Sequence, residues 1–462
     1  MKFILIFFLC FGYLGFGQEK APQELTYNEF LGLVKKYHPL VKNSQIQINE
    51  AQAALLKARG AFDPKIEVDF NKKQFKEQEY YSILNSSFKI PTWYGIELKA
   101  SFDNNEGIYL NPENTLPNQG LTSFGISIPL GQGLLINDRM AHLRKAKMQL
   151  KLSKSEQQLE AVSVLYEASM AYFNWKKTYD EVQLYEQYKS NALLRFKGIQ
   201  TLIEQGDKPA IDSIEAKIIV QNRELNLEDS KLKLTKAKLG LSLFLWLENN
   251  IPLELADNMI PETALKSTIA ETLRTNDLMQ SDFSVVAHPK INALQSKLDM
   301  LEVDRKWKAN QLLPKIDLGY TYLSEPSYID RYRLEDYKIG VNFSFPILLR
   351  KERGDLKLAK FKIQETQSTL DFERLQLTNK IKAQQAEITS LLKQNDLIRN
   401  LVNDHKTMLS SEERLFDLGE SSLFLINTRE NNLVAAQLNR IALENRYYVS
   451  NSELFKIIAN PN

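Results

Sequence analysis

The residues best suited to proton transfer or metal ligation are four histidines, and their spacing suits neither task. His38, His142, His288 and His405 are scattered along the chain, and His38 and His288 each stand directly before a proline. That placement points to structural roles at helix starts. No nucleophile motif, phosphate-binding loop or cluster of metal-ligand spacing occurs. Acidic and basic residues are spread along long polar runs, as on solvated helix faces. The net charge is only +2, which gives no electrostatic case for nucleic acid. The residues therefore predict no enzymatic activity, no cofactor and no metal. The question becomes what the long elements carrying these charges build.

The elements come in two copies. Pro64-Lys65-Ile66 and Pro314-Lys315-Ile316 lie 250 residues apart, and so do His38-Pro39 and His288-Pro289. Two matches at one offset signal internal duplication. Further on the offset shortens. The run at 127–130 (SIPL) answers 344–347 (SFPI) at 217, and Gly206-Asp207 answers Gly419-Glu420 at 213. Two polar, proline-free runs, about 137–205 and 355–418, carry apolar residues at three-, four- and seven-residue spacings. In the first these are Leu159, Val162, Tyr166 and Phe173. In the second they are Leu370, Leu377, Ile381, Ile388, Leu391 and Ile398. Such seams predict helices of roughly 100 Å packed side by side. Each run ends at a glycine, Gly206 or Gly419, and a second helical run follows, about 210–248 or 421–456. Two helical hairpins with tight tips result. Shorter helices are expected at about 26–59 and 289–312, with a loop-rich connector from 249.

Strands lie between the helices. Ile66, Val68 and Phe70 alternate with Lys65, Glu67 and Asp69, and Phe124, Ile126 and Ile128 alternate with small or polar residues. Ile316, Leu318, Tyr320 and Tyr322 do likewise, as do Tyr337, Ile339, Val341 and Phe343. A period of two gives one apolar and one polar face. Three features favour a lipid-facing sheet over a half-buried one. The amino terminus reads as a secretory signal, Met1-Lys2 then an apolar run through Phe16, cleaved after Gly17; this removes Cys10, the only cysteine, and with it disulfides and thiolate metal sites. The strands match the length of a tilted membrane crossing, about 9–11 residues. Aromatics gather near strand ends: Tyr320, Tyr322, Tyr328, Tyr332 and Tyr337 put five of 19 tyrosines into 18 residues, and Trp93-Tyr94 opens another strand. An open sheet edge cannot face lipid, and membrane barrels start at about eight strands. One chain offers four to six, so copies must share a barrel.

The proline marks are the joints of this scheme. Pro64 and Pro314 end incoming helices and begin strands; Pro129 and Pro346 end outgoing strands before the long helices. In its tandem repeat, the His-Pro before each first helix, the proline joints and the glycine tips, the sequence resembles the TolC family of outer-membrane efflux proteins over nearly the whole mature chain. The resemblance implies an α+β membrane protein. Long helical hairpins form an α-barrel in the periplasm, and a transmembrane β-barrel in the cell outer membrane is shared by a homotrimer. It implies a passive exit duct of a tripartite efflux or type I secretion system, with a periplasmic adaptor and an inner-membrane RND or ABC transporter as partners. The segments then read as signal peptide 1–17, incoming helices 18–64, strands with an insertion 65–130, and a hairpin 131–248. A connector 249–287, an incoming helix 288–313, strands 314–347, and a hairpin with C-terminus 348–462 follow.

Two departures from the family stand out. Pro64 to Pro129 spans 65 residues and Pro314 to Pro346 only 32, so the first half carries 33 more. They form either a long outer loop or two more crossings, at 81–90 and 94–102. At the tips the family places acidic residues after each glycine. Asp212 fits, six residues after Gly206; Leu425 and Thr428 stand at the second copy's acidic places, and Phe416 where a gating tyrosine often occurs. The expected pore entrance therefore comprises Gly206, Asp207, Asp212, Glu215, Phe416, Gly419, Glu420 and Arg429, with Asp212, Glu215 and Arg429 shaping its field. The competing reading is a periplasmic or surface coiled-coil scaffold without a pore.

Overall fold

The structure, a computed structural model, describes residues 23–275, 285–331 and 333–459. The signal segment with Cys10, residues 276–284 of the connector, and Tyr332 lie outside the described residues. The chain forms two compact units, each drawing on both sequence halves. One comprises Met1–Pro39, Leu165–Met279 and Ala386–Glu453; the other comprises Leu40–Val164, Gln280–Gln385 and Leu454–Asn462.

In chain order the elements begin with strand β1 (Gln23–Leu25) and helices α1 (Tyr27–Tyr37) and α2 (Pro39–Arg59). The incoming helices expected over 26–59 form as two. Thr26 caps α1, accepting from the Glu29 N–H while Glu29 bonds back to the Thr26 N–H. Pro39 then forces His38 into extended backbone at ψ 130°, which breaks the run. Strands β2 (Lys65–Phe75), β3 (Gln78–Pro91), β4 (Glu97–Glu106) and β5 (Leu121–Pro129) follow, then α3 (Asp138–Glu204) and α4 (Ala210–Ser242). The expected end of α4 near 248 is too late: from Trp246 the chain is a small hairpin, β6 (Trp246–Leu247) with β7 (Ile251–Pro252). Next come β8 (Met259–Pro261), α5 (Leu265–Thr272), α6 (Pro289–Asn310), β9 (Lys315–Ser324), β10 (Tyr337–Ser344), α7 (Arg350–Asp417) and α8 (Leu423–Ile458). The connector is thus more ordered than its prolines suggest, and β8 pairs in parallel with β1.

The second unit holds a six-stranded antiparallel sheet in the order β10-β9-β5-β4-β3-β2. The 33 extra residues supply two more strands rather than a long loop. The expected strand at 94–102 starts later, at Glu97. Trp93 and Tyr94 sit in the turn before it, where Gly95 has φ 76° and the Thr92 N–H donates to the Ile96 carbonyl at 2.9 Å. Trp93 stacks on Phe62 with ring centroids 5.5 Å apart instead of opening a strand.

The helical seams are buried where the periodicity puts them: Val162 and Phe173 on α3, and Leu370, Leu377, Ile381, Ile388, Leu391 and Ile398 on α7. Leu159 and Tyr166 are half-buried. In the first unit the core extends to an aromatic group of Tyr27, Phe30, Tyr172, Phe173 and Trp175. The Tyr172 hydroxyl donates to the Leu25 carbonyl at 2.6 Å and accepts from the Glu262 N–H at 3.0 Å, tying β1 to the connector.

Candidate functional site

Both hairpin tips close with the same motif. Gly206 and Gly419 have φ of 82° and 80°. The Gly206 N–H donates to the Ile203 carbonyl and the Asp207 N–H to the Leu202 carbonyl, at 3.0 and 2.9 Å. The Gly419 N–H reaches Phe416 and the Glu420 N–H reaches Leu415 at the same two distances. These are Schellman caps, which need a left-handed residue and so a glycine.

The structure brings some of the expected tip residues together. Phe416 packs with Ile199, Ala216 and Leu423, and the Lys208 ammonium lies 4.5 Å from its ring centroid. Glu215 accepts from the Asn427 amide at 2.9 Å. Arg429 pairs with Glu412 at 3.4 Å, and Glu412 also accepts from the Ser421 hydroxyl at 2.5 Å. Asp207 and Glu420 are exposed, Asp212 is half-exposed, and among the described residues none of the three forms a side-chain bond or ion pair.

A deeper charged group escaped the sequence reading. The Arg195 guanidinium donates to Glu430 at 2.6 Å and to Glu413 at 3.2 Å. The Glu430 side chain is 1% exposed. Arg223, also buried, donates to Asn431 at 2.6 Å, and its guanidinium lies 5.9 Å from the Tyr188 ring centroid. Burial, with Glu430 nearby, pushes the Tyr188 hydroxyl up to about 12. A signal existed: Glu430 sits on an apolar stripe between Ile426, Leu433 and Val434, where an unpaired carboxylate would be costly.

The joints are tight. The Leu130 N–H donates to the Ile316 carbonyl at 2.8 Å and the Gln132 N–H to the Pro314 carbonyl at 2.9 Å, so the end of β5 is stitched to the start of β9. A Cβ on Gly131 would lie 2.2 Å from the Pro314 oxygen. Pro129 closes β5, Pro64 precedes β2 and Pro346 follows β10. His288 caps α6, its Nδ1 accepting from the Lys290 N–H at 3.1 Å, with Nε2 2.7 Å from the Ile457 carbonyl oxygen. Burial lowers the pKa of His288 and of His38. No group of three or more His, Cys, Asp or Glu side chains among the described residues could hold a metal.

The sheet has two unlike faces. Ile66, Val68 and Phe70 on β2 are 61–77% exposed, and Ile339, Val341 and Phe343 on β10 are 60–67% exposed. The pairing register carries this face across the middle strands, Ile66 opposite Phe88, Phe88 opposite Ala100, Ala100 opposite Phe124, and Phe124 opposite Tyr322. The other face is polar and hollow: a cavity of about 480 Å³ is lined by Lys89, Lys99, Ser101, Ser123, Thr321 and Lys338 among others. Both edges, β2 and β10, are unpaired and exposed along their whole lengths.

The sheet thus has an exposed apolar face, a polar hollow face and two open edges, and residues 285–460 match the family model Outer membrane efflux protein. That match lies in the second half of the chain. Solved outer-membrane channels share the fold across nearly the entire chain. The CmeC outer membrane channel of Campylobacter jejuni aligns at a TM-score of 0.63 and 15% identity, covering 94% of this chain and 85% of that one. The MtrE outer membrane channel of Neisseria gonorrhoeae, solved in its open state, gives 0.64 and 11%, covering 94% and 89%. The outer membrane protein VceC of Vibrio cholerae gives 0.63 and 11%, covering 94% and 96%. No curated protein sequence matches the chain. None of the described helices is long and apolar enough to cross a membrane.

Proposed function

We propose that this efflux-family chain is the outer-membrane exit duct of a tripartite export system. Three copies pool their strands into one barrel, with the helical hairpins in the periplasm. The observation that carries the reading is the six-stranded sheet, apolar on one face and open at both edges. Lipid tolerates no unpaired strand edge, so β10 of one copy pairs with β2 of the next until the wall closes. Three copies give eighteen strands. At about 4.8 Å between strands and a tilt of about 40°, such a barrel is about 36 Å across the backbone, against about 24 Å for twelve strands. The hairpin tips, with Asp207, Asp212, Glu215, Phe416, Glu420 and Arg429, form the periplasmic entrance. A periplasmic adaptor docks there and links the duct to an inner-membrane RND or ABC transporter. The duct is passive; the pump supplies the driving force.

The coiled-coil scaffold reading leaves the apolar sheet face without purpose, since a soluble monomer rarely exposes so large a patch. The test is direct. Protein purified in detergent is expected to migrate as a heat-modifiable trimer and to insert conducting channels into planar bilayers. A monomer that stays soluble without detergent and conducts nothing overturns the duct.

A further inference from the structure

The polar face of the sheet carries an unexpected row of like charges. Lys65 on β2 stands directly opposite Lys89 on β3, and Lys89 directly opposite Lys99 on β4. Like charges in directly opposed positions destabilise a sheet. Here three fall in a row within two strand pairings, close to the joint where Pro64 starts β2 and the Thr92–Ile96 turn links β3 to β4. Lys89, Lys99 and Lys338 line the cavity on the hollow face, whose acidic members are Glu97, Asp103 and Glu113.

The carboxylates on this face leave the row positive. Glu67 forms an ion pair with Lys89, and Glu97 forms one with Arg139. Lys65 and Lys99 form no ion pair among the described residues. Two further acids make a separate row. Asp69 stands opposite Asn85, and Asn85 opposite Asp103. That row is four residues further along each strand, about 13 Å along the backbone, although Asp69 still acts on Lys89 and Asp103 on Lys99 across that gap. Glu67 is the one of these carboxylates in ion-pair contact with the row, so three lysines share a single directly bound counter-charge, with Asp69 and Asp103 acting at longer range.

On the reading of the chain as a duct, this face is the inner wall. We infer that Lys65, Lys89 and Lys99 form an anion-binding band there, at the end of the barrel nearest the helices, which engages cargo bearing phosphate or carboxylate groups. Each lysine offers charge-assisted hydrogen bonds to an oxyanion, and three side by side suit a multivalent anion better than a single charge. The cost of opposing lysines is offset when such an anion sits among them.

The probe is inorganic pyrophosphate, added to channels in a planar bilayer of uncharged lipid, so that no lipid headgroup competes. The native channel is expected to be blocked by pyrophosphate at low salt, with relief at high salt. In Lys65→Gln/Lys89→Gln/Lys99→Gln the half-blocking concentration is expected to rise by at least about tenfold, the effect of losing one charged hydrogen bond. Glu67→Gln, which frees Lys89, is expected to lower it. Conductance without pyrophosphate reports whether each variant has assembled; where the triple variant fails to assemble, Lys99→Gln alone decides by the same upward shift. Native channels that conduct but ignore pyrophosphate, or lysine variants blocked as strongly as native, overturn the band and leave the duct standing. Native protein that forms no channel overturns the duct, and the band with it.

Discussion

Replacing Arg195 by methionine keeps most of the side-chain volume and removes the charge that Glu430 depends on. In the native protein Glu430 Oε2 takes its hydrogen bond from Arg195 at 2.6 Å, while Oε1 is buried without a partner. The Glu430 side chain is 1% exposed and that of Arg195 16%, so water reaches the pair poorly. Arg195→Met therefore leaves a buried carboxylate with no counter-charge, a change that costs about 3–5 kcal/mol. The damage is local to the packing of Leu184, Tyr188, Ile426, Leu433 and Val434, so amide hydrogen exchange in α3 and α8 around these residues is the suitable assay. Protection there is expected to fall by about two to three and a half powers of ten, the same energy expressed as an opening equilibrium. The strand amides are expected to stay unchanged. Adding Glu430→Gln to Arg195→Met removes the stranded charge and is expected to recover most of the loss. Protection within a few-fold of native in the single variant, or a double variant no better than the single, refutes the argument that a desolvated charge pair holds this region.

Three further perturbations follow from the geometry. Gly419→Ala and Gly206→Ala force a side chain into the left-handed region; nothing lies within 4 Å of either added Cβ, so the cost is conformational alone, about 1–2 kcal/mol each by local hydrogen exchange, and asparagine is expected to cost less. Gly131→Ala is expected to be far worse, because its Cβ would sit 2.2 Å from the Pro314 carbonyl oxygen at the stitch between β5 and β9; the readout is loss of amide protection in these two strands, and near-native protection would contradict it. His38 and His288 are held neutral by burial, with pKa values below the ordinary 6.5. The unfolded chain therefore binds the extra protons first. Their stabilising effect is complete above pH 6.5 and is lost as pH falls through that value toward the lower folded values. Thermal unfolding midpoints are expected to drop with acidification over that range, less steeply in His38→Phe, whose ring retains the stacking on Phe244.

What could be read from residues alone was whatever a short period encodes. The seam of α7 through Leu370, Leu377, Ile381 and Ile398, the glycine caps at Gly206 and Gly419, and the two-faced strands from Ile66 and Ile339 each depend on neighbours a few positions away. The errors came where alternation or helical period ran past a turn. Trp93 and Tyr94 continue the pattern of β4 but lie in the turn before it, and the helical run expected to about 248 ends at Ser242.

Other features required the chain to be folded. Whether the 33 extra residues crossed the sheet or looped above it depends on pairing energies between distant strands, so β3 and β4 emerged only with the register. The same register puts Lys65, Lys89 and Lys99 in one row, although they are 24 and 10 residues apart in sequence. Arg195 and Glu430 are 235 residues apart and meet only because α3 and α8 pack together. Sequence fixes which face of an element is apolar, because that follows from a covalent period. It does not fix which charges become neighbours, because that is decided by long-range pairing, where a one-residue slip would send every lysine of the row to the apolar side.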